Sequence, residues 1–340
     1  MTRATALIAT LILLGACSSD PAGSDSAADA GATTEATSAP AATEPVETLA
    51  PTTVAETTAA PTTTDAAVPA DWFVDHPYTL VVPDAAATGE PLPLVVLLHG
   101  YGANKEIQLG YFGLEPLALD RGFLLAVPDG DTNALGQQYW NATDSCCSGG
   151  DPDGEPNHVA ILRALIDDVA RQHAVDPDRV YMIGHSNGGF MSYRMACDAS
   201  DLVAAVVSLA GATWSDPQRC NPASPVSVLQ IHGTADETIL YDGGDILGVP
   251  YPSAAATVGQ WAALDGCDAP SDPILHDDLT LDLEATIEAP ETAVYGVSGC
   301  PSGVDVQLWT INGGSHIPSF TPDFAAGAID FLLAHTKVRG

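Results

Sequence analysis

The chain has 340 residues with 44 acidic and 10 basic side chains, giving a formal net charge of −34. So acidic a surface repels polyanions, which excludes nucleic acid and anionic lipid headgroups as natural partners and favours a neutral substrate. Seven cysteines leave an even six once Cys17 is set aside, a count that fits a disulfide framework in an oxidising compartment.

In chain order, residues 1–17 read as an export signal: Arg3 precedes an apolar run over 4–14 that is too short to span a bilayer. The run ends in Leu14-Gly15-Ala16-Cys17, which resembles the lipobox of bacterial lipoproteins; the rival reading is an ordinary secretory signal cleaved elsewhere. Lipidation would make Cys17 an anchor. It predicts a secreted, extracellular protein that meets the membrane of the bacterial envelope only through that anchor. Residues 18–70 are mostly Ala, Thr, Pro, Ser and acids without a single Lys or Arg. They cannot bury enough apolar surface to offset their ordering entropy, so a disordered tether is predicted. Residues 71–340 have the length of one catalytic domain, expected to act as a monomer.

Within that domain, strands are predicted at 78–82, 94–98, 123–127, 180–183, 203–209, 226–231 and 304–311. Several are unbroken apolar runs, as in parallel strands buried on both faces. Val159, Leu162, Leu165, Ile166 and Val169 recur at helical spacing, with Asn157 placed to cap their helix. The alternation predicts an α/β domain: a doubly wound, mostly parallel sheet with helices on both faces. Residues 265–303 depart from the pattern, being acidic with short alternating pieces, and read as an insertion beside the functional site. Asp129-Gly130-Asp131-Thr132-Asn133 begins like a calcium loop, but Ala134 and Trp140 stand where that loop requires Gly and Glu. His185 and His232 lack metal-ligand spacing, so neither a metal nor any other cofactor is expected.

The predicted strand at 180–183 runs into Gly184-His185-Ser186-Asn187-Gly188 and then into a helical stretch at 190–197. This is a G-x-S-x-G elbow in the strand-to-helix context it needs, with Ser186 as the nucleophile. Downstream, Asp236 follows the strand 226–231 and His316 follows the strand 304–311, which gives the order Ser, Asp, His. Loops beyond the carboxyl ends of parallel strands share one side of the sheet. His316 would then deprotonate Ser186, and Asp236 would hold the imidazole tautomer. Asp242 and Asp245 rival Asp236; His335 rivals His316 but falls in the predicted last helix, on its solvated side. The main-chain N–H groups of Tyr101 and Asn187 are the candidate oxyanion donors, and His99 reads as a buried residue that orders the Tyr101 loop. Cys197–Cys220 and Cys267–Cys300 are the expected disulfides, leaving Cys146–Cys147 as a vicinal pair unless they bond elsewhere.

The block 179–197, Trp140-Asn141-Ala142, the Cys146-Cys147 pair, Ile231-His232-Gly233-Thr234-Ala235-Asp236 and Gly313-Gly314-Ser315-His316 together resemble the secreted polyhydroxybutyrate depolymerase and feruloyl esterase group. The resemblance runs from about Tyr78 onward and implies an α/β-hydrolase without a metal cofactor. It implies hydrolysis of a neutral ester or polyester through Ser186, Asp236 and His316. The expectation is a polyester or oligoester depolymerase, with a feruloyl or acetyl-xylan esterase as the alternative and a non-catalytic surface-binding lipoprotein as the reading from another class. One departure is Asn157-His158-Val159, where the group carries an acidic pair. A partial likeness to polyethylene-terephthalate hydrolases implies that Tyr101 and Trp214 flank an aromatic ester; otherwise Trp214 packs under the Cys220 loop.

Overall fold

The computed structural model describes residues 68–69, 72–147, 153–154, 156–268 and 274–338, with the backbone alone for 274–279. The expected leader over 1–17, Cys17 and nearly all of the expected tether over 18–70 lie outside the described residues.

In chain order the elements are α1 (Trp72–Asp75), β1 (Thr79–Val81), β2 (Leu92–Leu98), α2 (Lys105–Phe112), α3 (Glu115–Arg121) and β3 (Leu124–Val127). A hairpin of β4 (Asp131–Thr132) and β5 (Gln138–Tyr139) leads to α4 (His158–Gln172), β6 (Val175–His185), α5 (Asn187–Asp198), β7 (Ala205–Leu209) and β8 (Ser227–Gly233). A second hairpin, β9 (Gly244–Ile246) and β10 (Val249–Tyr251), precedes α6 (Ala254–Leu264), β11 (Ile274–Leu281), β12 (Thr292–Gly296), β13 (Val306–Ile311) and α7 (Pro322–Ala334).

Nine strands form one sheet in the order β1-β3-β2-β6-β7-β8-β13-β12-β11. From β3 to β13 every neighbouring pair is parallel, and antiparallel pairing is confined to β1 at one edge and β12 and β11 at the other. The doubly wound sheet expected from the alternating pattern is thus its centre. Residues 265–303 are not an insertion beside the site: they supply β11 and β12, which widen the sheet past β13. Thr292–Gly296 buries every second residue, as a strand with one covered face does.

The pleat of β2 shows how the two faces are filled. Leu94, Val96 and Leu98 join a cluster with Leu162 and Leu165 of α4, Phe190 and Met191 of α5, and Trp261 of α6. Val95 and Leu97 join the opposite cluster with Phe112, Ala118, and Phe324, Ile329 and Leu332 of α7. Each of these large side chains contributes about 1.5–3 kcal/mol through burial. Helix α4 starts where the sequence places its cap, with the Asn157 side chain accepting the Ala160 N–H at 3.0 Å. No helix among the described residues is long and apolar enough to cross a membrane.

Candidate active site

Strand β6 ends at His185 and α5 begins at Asn187, so Ser186 alone makes the turn. Its backbone lies at φ 52 and ψ −119, where an L side chain is strained. The turn is tight because backbones press together on both sides of it. A Cβ on Gly184 would fall 2.3 Å from the Gly188 carbonyl carbon, and one on Gly188 would fall 2.3 Å from the Leu98 carbonyl oxygen. Glycine is therefore required at both positions. Leu209 on the neighbouring β7 fixes the turn by accepting the Ser186 N–H at 2.8 Å.

Strands β8 and β13 are parallel neighbours, so the loops beyond them emerge side by side. The Ala235 N–H donates to the Gly314 carbonyl at 2.9 Å and ties the loops to each other. They carry Asp236 and His316 to Ser186. His316 Nε2 lies 3.0 Å from Ser186 Oγ, and His316 Nδ1 lies 2.7 Å from Asp236 Oδ2. A carboxylate can only accept, so Nδ1 carries the proton and Nε2 presents its lone pair to the serine hydroxyl.

Asp236 is buried, with Oδ1 accepting the N–H groups of Thr238 at 2.8 Å and Ile239 at 2.9 Å. Burial opposes its charge, but hydrogen bonds from His232 and His316, the charge of His316 and the Thr238 N–H outweigh it. The carboxyl is held far below its usual range. His185 donates through Nε2 to the His316 carbonyl at 2.9 Å and keeps the His316 main chain in place. Burial first, and then the nearby His316, push His185 down to about 4, so it stays neutral beside the base.

The Tyr101 loop lies over the elbow: a Cβ on Gly100 would sit 3.5 Å from Ser186 Cβ. Neither the Tyr101 N–H nor the Asn187 N–H has a hydrogen-bond partner among the described residues, as an oxyanion site needs. His99 is fully buried and orders this loop: its Nδ1 donates to the Gly100 carbonyl at 2.8 Å and its Nε2 accepts the Gly130 N–H at 2.9 Å. The Asn187 side chain clamps the elbow to Trp140, accepting its N–H at 2.7 Å and donating to its carbonyl at 2.9 Å. Where the resembling group has an acidic pair, His158 accepts the Asn141 N–H at 2.7 Å and lies 3.1 Å from the Asp131 carboxylate, joining α4 to the β4–β5 hairpin. Tyr101 is 42 % exposed, and its hydroxyl accepts from Asn133 on that hairpin at 2.7 Å.

Two expectations need correction. Trp214 is only 2 % exposed, and the guanidinium groups of Arg194 and Arg219 cover its ring with carbons 5.2 and 4.6 Å from the centroid. It packs beneath the Cys220 loop and offers no face to a substrate. His335 is buried rather than solvated, its Nδ1 donating to the Phe331 carbonyl at 2.7 Å at the end of α7. Of the rivals to Asp236, Asp245 accepts the Gly248 N–H at 2.9 Å within the β9–β10 hairpin. The disulfides join Cys197 to Cys220, Cys267 to Cys300 and Cys146 to Cys147. Sequence reasoning weighed His185 and His232 only as metal ligands and missed their part in this site, although His185 adjoins Ser186 and His232 lies four residues before Asp236.

A family model described as alpha/beta hydrolase fold matches residues 93–239. The chain is 36% identical over 162 residues to the NocK protein of Nocardia uniformis subsp. tsuyamanensis, covering 47% of this chain and 45% of that one. It is 31% identical over 207 residues to feruloyl esterase B of Piromyces equi, covering 58% of this chain and 34% of that one. It therefore spans less than half the length of these two relatives. Feruloyl esterase D of Neurospora crassa is 26% identical over 253 residues, covering 71% of this chain and 74% of its own length. Among solved structures, an acetyl xylan esterase from Aspergillus awamori superposes with a TM-score of 0.53 at 16% identity over 76% of this chain and 93% of its own. The fold is that of the α/β-hydrolases.

Proposed function

We propose that this α/β-hydrolase is an exported serine carboxylic ester hydrolase. We further propose that it removes hydroxycinnamoyl or acetyl groups from a neutral polysaccharide through an acyl-enzyme. The observation that carries the reaction is the unbroken chain Ser186 Oγ, His316, Asp236, with contacts of 3.0 and 2.7 Å. His316 Nε2 takes the Ser186 proton as Oγ attacks the ester carbonyl carbon, and Asp236 stabilises the imidazolium. The Tyr101 and Asn187 N–H groups receive the developing oxyanion. His316 then protonates the leaving alcohol, and water repeats the sequence on the acyl-enzyme.

The substrate class rests on the relatives, several of them named feruloyl esterases and one a bifunctional acetylxylan esterase/xylanase. A polyester or oligoester remains the second reading. It is favoured by exposed apolar residues on loops beyond the strands' carboxyl ends: Tyr101, Leu135, Leu240 and Ile317. Burial of Trp214 removes half of the aromatic clamp that reading had drawn on. We also propose anchoring to a bacterial envelope through Cys17, with residues 18–70 as the tether. A Cys17→Ala chain is then released into the medium, whereas retention on the cell overturns anchoring.

The test sets methyl ferulate, acetylated xylan and a hydroxybutyrate trimer side by side with wild-type protein and Ser186→Ala. The expected result is preference for ferulate or acetate, with kcat lowered at least about a thousandfold by the substitution. Preference for the trimer selects the polyester reading. Wild-type turnover in Ser186→Ala overturns the mechanism.

A further inference from the structure

Behind Asp236 lies a second run of buried polar side chains. The Tyr193 hydroxyl, from α5, donates to Gln230 Oε1 at 2.7 Å. Gln230, on β8, donates through Nε2 to the Gly211 carbonyl at 2.8 Å and lies 3.1 Å from His232 Nδ1. His232 Nε2 lies 2.8 Å from the Ile239 carbonyl and 3.3 Å from Asp236 Oδ2. All three side chains are essentially inaccessible to solvent.

Two main-chain carbonyls, of Gly211 and Ile239, set the donors in this run. The Gly211 carbonyl can only accept, so the amide NH2 of Gln230 faces it, and the second hydrogen of that NH2 points to His232 Nδ1. Nδ1 is then an acceptor, and the proton of the neutral ring sits on Nε2, facing two acceptors. A doubly protonated ring would set an N–H against the Gln230 NH2. We propose that Gln230 and His232 are positioning residues: the locked Nε2–H tautomer gives Asp236 Oδ2 a second donor and keeps the carboxylate turned toward His316 Nδ1. This rests on the Ser186–His316–Asp236 reading above.

A purely structural role for these groups makes a different forecast, because packing has no preference for one imidazole proton. Other titratable groups facing the run are His185, Tyr241 and Tyr251, with Asp242 and Asp245 acting on the two phenols. Burial pushes both phenols up and His185 down, so none of the three changes charge between about pH 5.5 and 8.5.

Nitrogen-15 imidazole spectra of the full chain test the proposal directly, with His232→Leu, which removes the donor, and His232→Gln, which returns an N–H near the Nε2 position. In wild type, His232 is expected to carry its proton on Nε2. His232→Leu removes a donor from Asp236 and makes it more basic, so the His316 titration should move upward by about half a pH unit. Its kcat should fall about tenfold while KM stays near wild type. His232→Gln should recover most of both. An Nδ1–H or doubly protonated His232 overturns the proposal. So does a folded His232→Leu with an unmoved His316 titration, or a His232→Gln no better than the leucine variant. Should His232→Leu not fold, His232→Asn takes its place: its amide reaches only the Nδ1 position, so a His316 titration above that of His232→Gln supports the proposal and an identical one refutes it. These spectra need no turnover. A wild-type protein inert on every ester would end the functional reading and leave the tautomer result standing.

Discussion

Asp265 closes the end of α6 at 2 % exposure, with one carboxyl oxygen accepting the Val226 N–H at 3.0 Å. Its other oxygen has no partner among the described residues. Burial raises this carboxyl from 3.8 to about 7 against the smaller opposing pull of the Val226 bond. Between those values the folded chain holds a proton that the unfolded chain has lost. The group's contribution to stability is therefore intact below about pH 4, shrinks as pH rises, and is gone above about pH 7. A rise of about three pH units at about 1.4 kcal/mol each sets an upper bound of about 4 kcal/mol on the loss. Asp265→Asn keeps the acceptor for Val226 and carries no charge. It should stabilise the fold by about 2–4 kcal/mol at pH 8 and change little at pH 4. Urea denaturation of both proteins at pH 4, 6 and 8 measures the difference directly, since ionisations elsewhere cancel between them. Curves that stay parallel across that range would refute the reasoning.

Asp236→Asn places an amide NH2 against the N–H groups of His232 and His316, favouring the wrong His316 tautomer; kcat should fall about ten-thousandfold with the fold retained, as circular dichroism and kinetics would show. Gly188→Ala drives a Cβ to 2.3 Å from the Leu98 carbonyl oxygen, so soluble protein should be lost or its melting temperature should drop sharply. An unaltered melt would mean that the elbow can open. Replacing Cys197 and Cys220 by serine opens a link across 23 residues and should cost roughly 3 kcal/mol, read from denaturation midpoints.

The parallel strands and the three residues of the Ser186 chain were legible because each leaves a local mark. The stretch 94–98 is unbroken and apolar since both faces are covered, and Ser186 sits between glycines because backbone crowds the turn. β12 was missed because a strand covered on one face alternates, and its acidic flanks made the stretch look like an insertion. The partners of His232 were beyond reach for another reason. Gln230 and Gly211 meet only through the pairing of β7 with β8 and the path of the chain beyond β7, which no short window records. Trp214 was misplaced because a tryptophan after a strand suits a pocket wall as well as a core. Arg194, which covers the ring from α5, lies on another element, and only the fold brings it there.

Ser186 holds its φ of 52 in a region that glycine occupies freely and other residues enter at a cost of about 1–3 kcal/mol. At this position durability and reactivity therefore pull in opposite directions. Ser186→Gly should raise the melting temperature while abolishing turnover, so a screen for heat resistance alone would select against the hydroxyl. Serine persists there only under a demand for chemistry, and a lineage freed from that demand would drift toward a sturdier, silent protein at this residue first.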